Sequence, residues 1–289
     1  MCVELIAPEP DLAYLKGKTV LAVGAHADDL SIFAGGALCA LAHAGANVHA
    51  LRVTDDYADS FDIPTEETKK VNSDQFQKSM NILGVTAIHN LDFPTDQLSS
   101  VKLVDLREKI IFKFRELKPY AVISFDPYSA YGEDNQDHLM VAKAVDESYW
   151  TSIFDKHHPE HFALGVAPHA VIERWYFGRE LTRTTSSIDI SKFLEQKIAA
   201  VNSHEVMMDN IYYQLTIFER DSGQKLLIKD RESLVPLMIQ SMAKSAGEKS
   251  GFEYAENYRI VRFNGMEAAF KPKPGSRTWK NSPHMNGEK

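Results

Sequence analysis

The sequence predicts an α/β fold, a Rossmann-like, mostly parallel sheet with helices on both faces, followed by C-terminal strand and helix additions. Three observations predict it. Short apolar runs alternate with segments of helical period from residue 18 onward, the turns joining them are short, and Gly or Lys-Pro closes the helical segments. Strands alternating with helices of this length pair in parallel through right-handed crossovers, which cover both faces of the sheet.

The first strand is read at 18–24, and a helix of small and apolar residues at 34–43 is stopped by Gly45. A second strand spans 47–53. The polar loop 54–64 leads to a helix ending at Leu83-Gly84, and a short strand follows at 87–91. Within 101–117, Leu103, Leu106, Ile110, Ile111, Phe114 and Leu117 recur at helical spacing, and Lys118-Pro119 ends the helix. Next come a strand at 120–125 and a helix beginning near Asp137. A strand at 170–177 and helices at 191–202 and 232–249 complete the pattern. Residues 1–270 read as one domain, and the polar, proline-containing stretch 271–289 as an arm, loose or packed on a second copy in a homo-oligomer.

A chain of 289 residues can bury a sizeable core without disulfides, and two distant cysteines, Cys2 and Cys39, form no framework of bridges. A reducing, cytoplasmic setting is expected, since neither a leader-like N-terminus nor an apolar run of membrane-spanning length is read. The charge balance, 32 Lys+Arg against 40 Asp+Glu for a net −8, speaks against nucleic acid as a partner, because neutralising phosphates needs a basic face.

The residues that carry chemistry follow the first strand. Gly24-Ala25-His26-Ala27-Asp28-Asp29 places one imidazole and two carboxylates within four positions, at a strand end where such sheets collect ligands. Adjacent carboxylates repel, and burying them requires a cation or hydrogen-bond donors. A helix cap and solvated charge would account for this segment alone. A second cluster favours a divalent metal: a long, Gly-containing loop runs from Asp126 to Asn135-Gln136-Asp137-His138 at another strand end. His26, one Asp and His138 would supply three ligands to a tetrahedral, zinc-like ion, leaving the other Asp to take a proton from water. Asp137 would partner His138 or cap the helix.

Gly24-Ala25-His26-Ala27-Asp28-Asp29, followed by Ala34-Gly35-Gly36, resembles the Ala-His-Pro-Asp-Asp-Glu…Gly-Gly signature of the LmbE-like, or PIG-L, family of metal-dependent N-deacetylases. Asn135-Gln136-Asp137-His138 resembles its His-Pro-Asp-His element, and Phe125-Asp126-Pro127 through Tyr131-Gly132 the loop before it. Tyr254-Ala255-Glu256-Asn257-Tyr258 is similar to the family's closing Tyr-Ala-Glu-x-Phe. The resemblance implies a Rossmann-like fold and removal of acetyl groups from the amines of N-acetylglucosamine-type sugars or glycosides. By position, it implies His26, Asp29 and His138 as ligands of Zn2+, with Fe2+ or another divalent metal as the alternative, Asp28 as general base and Tyr131 as support for the oxyanion. Asp96, in the Phe93-Pro94-Thr95-Asp96 turn, would contact the sugar as the matching family turn does, and Asp55, at a strand end facing the same crevice, would border the substrate.

Three positions depart from the family pattern. Ala27 replaces its proline, Leu30 its glutamate, and Asn135 the first histidine of His-x-Asp-His. An Asn amide can still donate to an oxyanion but cannot carry charge or shuttle a proton. Glu133-Asp134 is an apparent insertion, read as a solvated turn. His157-His158-Pro159-Glu160-His161 with His169 reads as a polar loop, His43, His49 and His89 as structural, and His204 falls near a histidine common in the family. The alternative to an enzyme is a metal-retaining pseudo-enzyme or sugar-binding module, which would not need Asp28. A dinucleotide site is a poor fit, because the first turn carries carboxylates where closely spaced glycines would receive a pyrophosphate.

Overall fold

The structure, a computed structural model, describes residues 7–8, 11–129, 132–248 and 250–262. Tyr131 and the 271–289 stretch lie outside the described residues. Eight strands are found: β1 (Ala7–Pro8), β2 (Thr19–Gly24), β3 (Asn47–Thr54), β4 (Ala87–Phe93), β5 (Ala121–Phe125), β6 (Glu173–Phe177), β7 (Ser186–Asp189) and β8 (Ala255–Arg262). The helices are α1 (Asp29–His43), α2 (Thr65–Leu83), α3 (Leu103–Leu117), α4 (Gln136–Thr151), α5 (Glu160–Ala163), α6 (Leu194–Asn202), α7 (Glu205–Ser222) and α8 (Arg231–Glu248).

The strands form one sheet in the order β1-β7-β8-β6-β5-β2-β3-β4. From β6 to β4 every neighbouring pair is parallel, whereas β8 runs antiparallel to both β6 and β7. The helices α1, α2, α6 and α8 pack on one another as one layer, and α3 packs with α4 in a second. Both β2 and β5 are buried almost end to end because each is covered on two faces, which explains their continuous apolar character. Strand β2 has β3 on one side and β5 on the other, so the chain reverses its direction across the sheet there. Their carboxyl ends frame the crevice that such a reversal creates.

Helix α1 crosses this centre at close range. A Cβ on Gly36 would come within 2.5 Å of Ile190, so only glycine fits. The buried Glu256 carboxylate on β8 then clamps the helix: it accepts the Gly36 and Ala37 backbone N–H groups at 2.8 Å, the Lys197 ammonium at 2.6 Å and the Tyr258 hydroxyl at 2.8 Å. Four donors satisfy a carboxylate that burial would otherwise penalise.

Helices α1 and α7 depart from the sequence reading. Helix α1 begins at Asp29 rather than 34, because the charged residues that read as a loop form its first turn and Asp29 accepts the His26 N–H at 2.7 Å. Helix α7 was not anticipated: among its 18 residues only Met207 and Met208 are buried, so it lacks the wide apolar stripe that reveals a helix.

Candidate metal centre

The turn from β2 into α1 is tight. A Cβ on Gly24 would sit 3.1 Å from the Asp29 side chain and 3.2 Å from Leu30, which fills the space beneath. The turn is also tied to β3, since Thr54 donates to the Ala25 carbonyl through both its N–H, at 2.9 Å, and its hydroxyl, at 2.7 Å. His26, Asp28 and Asp29 are therefore held at the mouth of the crevice, each buried. His138 arrives from the far side on the first turn of α4.

These side chains converge. His26 Nδ1 is 3.2 Å from His138 Nε2, His138 Nε2 is 3.0 Å from Asp29 Oδ1, and His26 Nδ1 is 3.6 Å from Asp29 Oδ2. Ligands about 2.0–2.1 Å from a tetrahedral ion lie about 3.3–3.4 Å from one another, so the His26–His138 spacing is close to one edge of such a polyhedron, while Asp29 approaches the two rings through different oxygens. The outer ring nitrogens each face a carboxylate, although His138 Nδ1 and Glu133 Oε2 are not aligned for a hydrogen bond. His26 Nε2 faces Asp137 Oδ2 at 3.4 Å, and His138 Nδ1 faces Glu133 Oε2 at 3.0 Å. With a proton on each outer nitrogen, both inner lone pairs point at the same centre as the Asp29 carboxylate. Phe125 stacks on the His138 ring at 4.2 Å and fixes its plane.

Electrostatics describe a site short of positive charge. Burial alone would lower the histidines, but Asp137 and Asp29 hold His26 well above its ordinary value, and Asp29 with Glu133 lifts His138 to about 9. Burial would raise Asp29, yet the two histidines pull it far below the carboxylate range. Asp28 is pushed up to about 7 by burial and by repulsion from Asp29. A bound cation offsets each of these costs.

Asp137 turns to His26 rather than His138, and it also accepts the N–H groups of Asp96 at 2.6 Å and Leu98 at 3.2 Å. The cap of α4 is Asn135, whose Oδ1 receives the Asp137 and His138 N–H groups at 2.9 and 3.4 Å. Asp96 is exposed and has a positive φ of 61°. Asp55 is buried and pairs with Lys69 at 3.0 Å. Glu133, read as solvated, is instead buried between His138 and Arg179, and only Asp134 of that pair is exposed. Proximity to Asp126 and Asn135 in sequence gave no sign of this, because a Glu in a polar loop looks like any exposed charge. Asp56 and Asp59, which the sequence groups with Asp55 after the second strand either as a border of the substrate site or as a solvated loop, have carboxylates within 4.8 Å of a His26 nitrogen and of each other. Asp56 is buried against Arg52 at 3.0 Å, and burial nonetheless raises it to about 8.

A third group of potential ligands, His158, Glu160 and His161, is also within 4.8 Å. Its buried member, His161, has no lone pair to spare. Arg115 Nη1 donates to His161 Nδ1 at 3.2 Å, and His161 Nε2 lies 2.6 Å from Glu108.

Residues 21–149 match the family described as PIG-L: GlcNAc-PI de-N-acetylase. The fold and the sequence match thus define an α/β protein whose residues 21–149 match the PIG-L family model. Over 246 residues the chain is 25% identical to a diacetylchitobiose deacetylase of Thermococcus kodakarensis, spanning 84% of this chain and 83% of that one. The fold is similar to that of an N,N'-diacetylchitobiose deacetylase from Pyrococcus horikoshii, with a TM-score of 0.72, 22% identity and 88% and 87% of the two chains covered. It is also similar to that of a 4-carboxy-2-hydroxymuconate hydratase from Pseudomonas putida KT2440, with a TM-score of 0.57, 16% identity and 90% and 99% covered. The architecture alone therefore does not fix the reaction. Among the described residues no helix is long and apolar enough to cross a membrane.

Proposed function

We propose that this chain is a divalent-metal-dependent hydrolase that removes an acetyl or similar acyl group from the amine of an N-acetylglucosamine-type sugar or glycoside. The observation that carries the reading is the convergence of His26 Nδ1, His138 Nε2 and the Asp29 carboxylate on one centre, with Asp28 buried beside them. The similarity to diacetylchitobiose deacetylases supports the substrate class. His26, Asp29 and His138 would hold the ion, and two imidazoles with one carboxylate suit zinc or ferrous iron. Once bound, the ion would supply Lewis acidity to an amide carbonyl and to water.

The protein's own residues do the rest. Asp28, lifted toward neutrality, takes a proton from the attacking water and returns it to the departing amine nitrogen. Glu133 and Asp137 hold the two imidazoles in the tautomers that aim their lone pairs inward. Asn135 is a weaker candidate for stabilising an oxyanion, because its carbonyl oxygen is engaged as the cap of α4 and only its amide N–H groups remain to donate. Asp55 and Asp96 border the same mouth and would meet sugar hydroxyls.

That cap also favours a second reading, a metal-retaining sugar-binding module without hydrolysis. One experiment separates the two: elemental analysis of the purified chain, followed by amine release from N-acetylglucosamine, its disaccharide and N-acylated glycosides. Bound metal with amine release, lost in Asp28→Asn while metal stays, supports the hydrolase. Bound metal and bound sugar without amine release support the module.

A further inference from the structure

His49 on β3 and His89 on β4 take no part in the chemistry described so far. Both are half-buried and lie on one face of the sheet, where the register pairs His89 with Leu51 and so brings the two rings together on the diagonal. Strand β4 is the last in the sheet order and pairs with β3, which places the two histidines at the sheet's edge. They are well removed from the crevice. Thr54, which ties β3 to the acidic turn, lies five residues beyond His49. At about 3.3 Å per residue, that separation is about 16 Å.

His49 Nδ1 is 3.2 Å from His89 Nε2, with ring centroids 5.3 Å apart and planes 23° from parallel. His26 and His138 in the crevice have the same nitrogen spacing, 3.2 Å, and centroids 5.1 Å apart. Two nitrogens at that spacing, each about 2.05 Å from an ion, subtend an angle of about 103° at it, close to tetrahedral. Burial holds both imidazoles below their ordinary value, helped at His89 by Lys113, so near neutral pH each ring is uncharged and keeps a lone pair. Glu116, in the last turn of α3 and joined to Lys113 at 2.7 Å, acts on His89 in the opposite sense and lends negative charge to the same corner.

We propose that His49 and His89 form a second divalent-cation site, a two-imidazole clip for Zn2+, Ni2+ or Cu2+ across strands β3 and β4, with water in its remaining positions. Imidazole suits these ions, whereas Mg2+ and Ca2+ take oxygen ligands. Without an ion the rings share one hydrogen in an N–H···N bond. On binding, the donating ring moves that hydrogen to its other nitrogen. Both facing lone pairs then go to the ion, and neutral rings release no net proton. The two rings meet only when β3 and β4 are paired, so an ion held between them favours the folded state by mass action. The site is independent of the deacetylase reading.

The test is equilibrium dialysis of the metal-free full chain against Zn2+ and, separately, Ni2+, read by elemental analysis. The unsubstituted chain is compared with His49→Asn, His89→Gln and Asp29→Asn. Asn and Gln keep a hydrogen-bonding group near the positions of Nδ1 and Nε2, so the strands stay joined while the imidazole is lost. The expected result is about two ions per chain, falling to about one in either edge variant and in Asp29→Asn, and to about none in His49→Asn combined with Asp29→Asn. Zn2+ should raise the melting temperature of Asp29→Asn and leave that of the combined variant unchanged. A measurement that needs no substitution at the edge is the 15N spectrum of the histidine rings in Asp29→Asn, where Zn2+ should shift His49 Nδ1 and His89 Nε2. One ion lost in either edge variant but kept in Asp29→Asn supports the clip and removes the crevice site. One ion per chain that vanishes in Asp29→Asn overturns the proposal, as does a second ion that survives both edge variants, or ring nitrogens of His49 and His89 that Zn2+ leaves unmoved.

Discussion

Two histidine-and-carboxylate clusters in this protein have the same count of ligand-type side chains, each within 4.8 Å of one another, and their surroundings differ. In one, His26, His138 and Asp29 turn lone pairs toward a shared centre while their outer nitrogens are held by Asp137 and Glu133. In the other, His161 sits between Arg115 and Glu108 with both nitrogens occupied. Arg115 also donates to the carbonyls of Ser152, Phe154, His157 and His158 and so ties the 152–161 segment to α3. Proximity makes neither cluster a metal site. What matters is where each lone pair goes.

The contrast can be broken in five ways, the largest expected effect first. Asp28→Asn should lower kcat for amide hydrolysis by about 100- to 10,000-fold while metal content is unchanged; near-normal turnover would remove Asp28 from proton transfer. Arg115→Ala should cost about 2–3 kcal/mol in denaturant unfolding, by stranding buried carbonyls, with no change in metal affinity. A loss of metal in that variant would erase the distinction between the clusters. Glu133→Gln should weaken metal binding roughly 10- to 100-fold in a competition titration, because His138 loses the anion that orients it.

The fourth prediction concerns pH. In the metal-free protein Asp28, at about 7, and Asp56, at about 8, stand above the ordinary carboxylate value, and His138, at about 9, and His26 stand above that of histidine. All four bind protons more tightly when folded, so their stabilisation is complete at low pH and is lost as pH rises. The carboxylates lose it between about 4 and 8, the histidines between about 6.5 and 9. Asp29 has the opposite sign, and its contribution disappears only below about pH 4. The melting temperature of metal-free protein should therefore fall from pH 5 to 9, while metal affinity rises over the same range as the ion displaces protons from His26 and His138. A flat profile would mean that the cluster is not assembled without metal. Last, His158→Ala should move stability by about 0.5 kcal/mol and leave metal content alone, since its ring touches only Glu160 and the edge of the network at His161 near the surface.

Most of the parallel half of the fold was legible because it is covered on both faces, and continuous apolar runs such as 121–125 admit few other readings. The ligand-type residues were legible too, since His26, Asp28, Asp29 and His138 fall at strand ends by position alone. Their partners were not. The sequence offers Asp137 to His138, its neighbour, or to the helix cap, but the first turn of α4 sends the two side chains in different directions and Asp137 meets His26 across the crevice. Glu133 lies five residues before His138, and nothing in a polar loop reveals that the chain folds back upon that ring. Helix α7 escaped because half of its apolar surface, including Tyr213 and Phe218, is not in the core at all.

The Glu256 clamp has a consequence for the order in which the molecule matures. Its bonds to Gly36 and Ala37 join positions 220 and 219 residues apart, so the helix that presents Asp29 is locked only after nearly all the intervening chain has found its place. Closing a loop of that length is entropically slow and is rewarded late. During synthesis, then, the first strand and its acidic turn would emerge early and wait, with a competent ion-binding geometry arriving only when β8 slides in between β6 and β7.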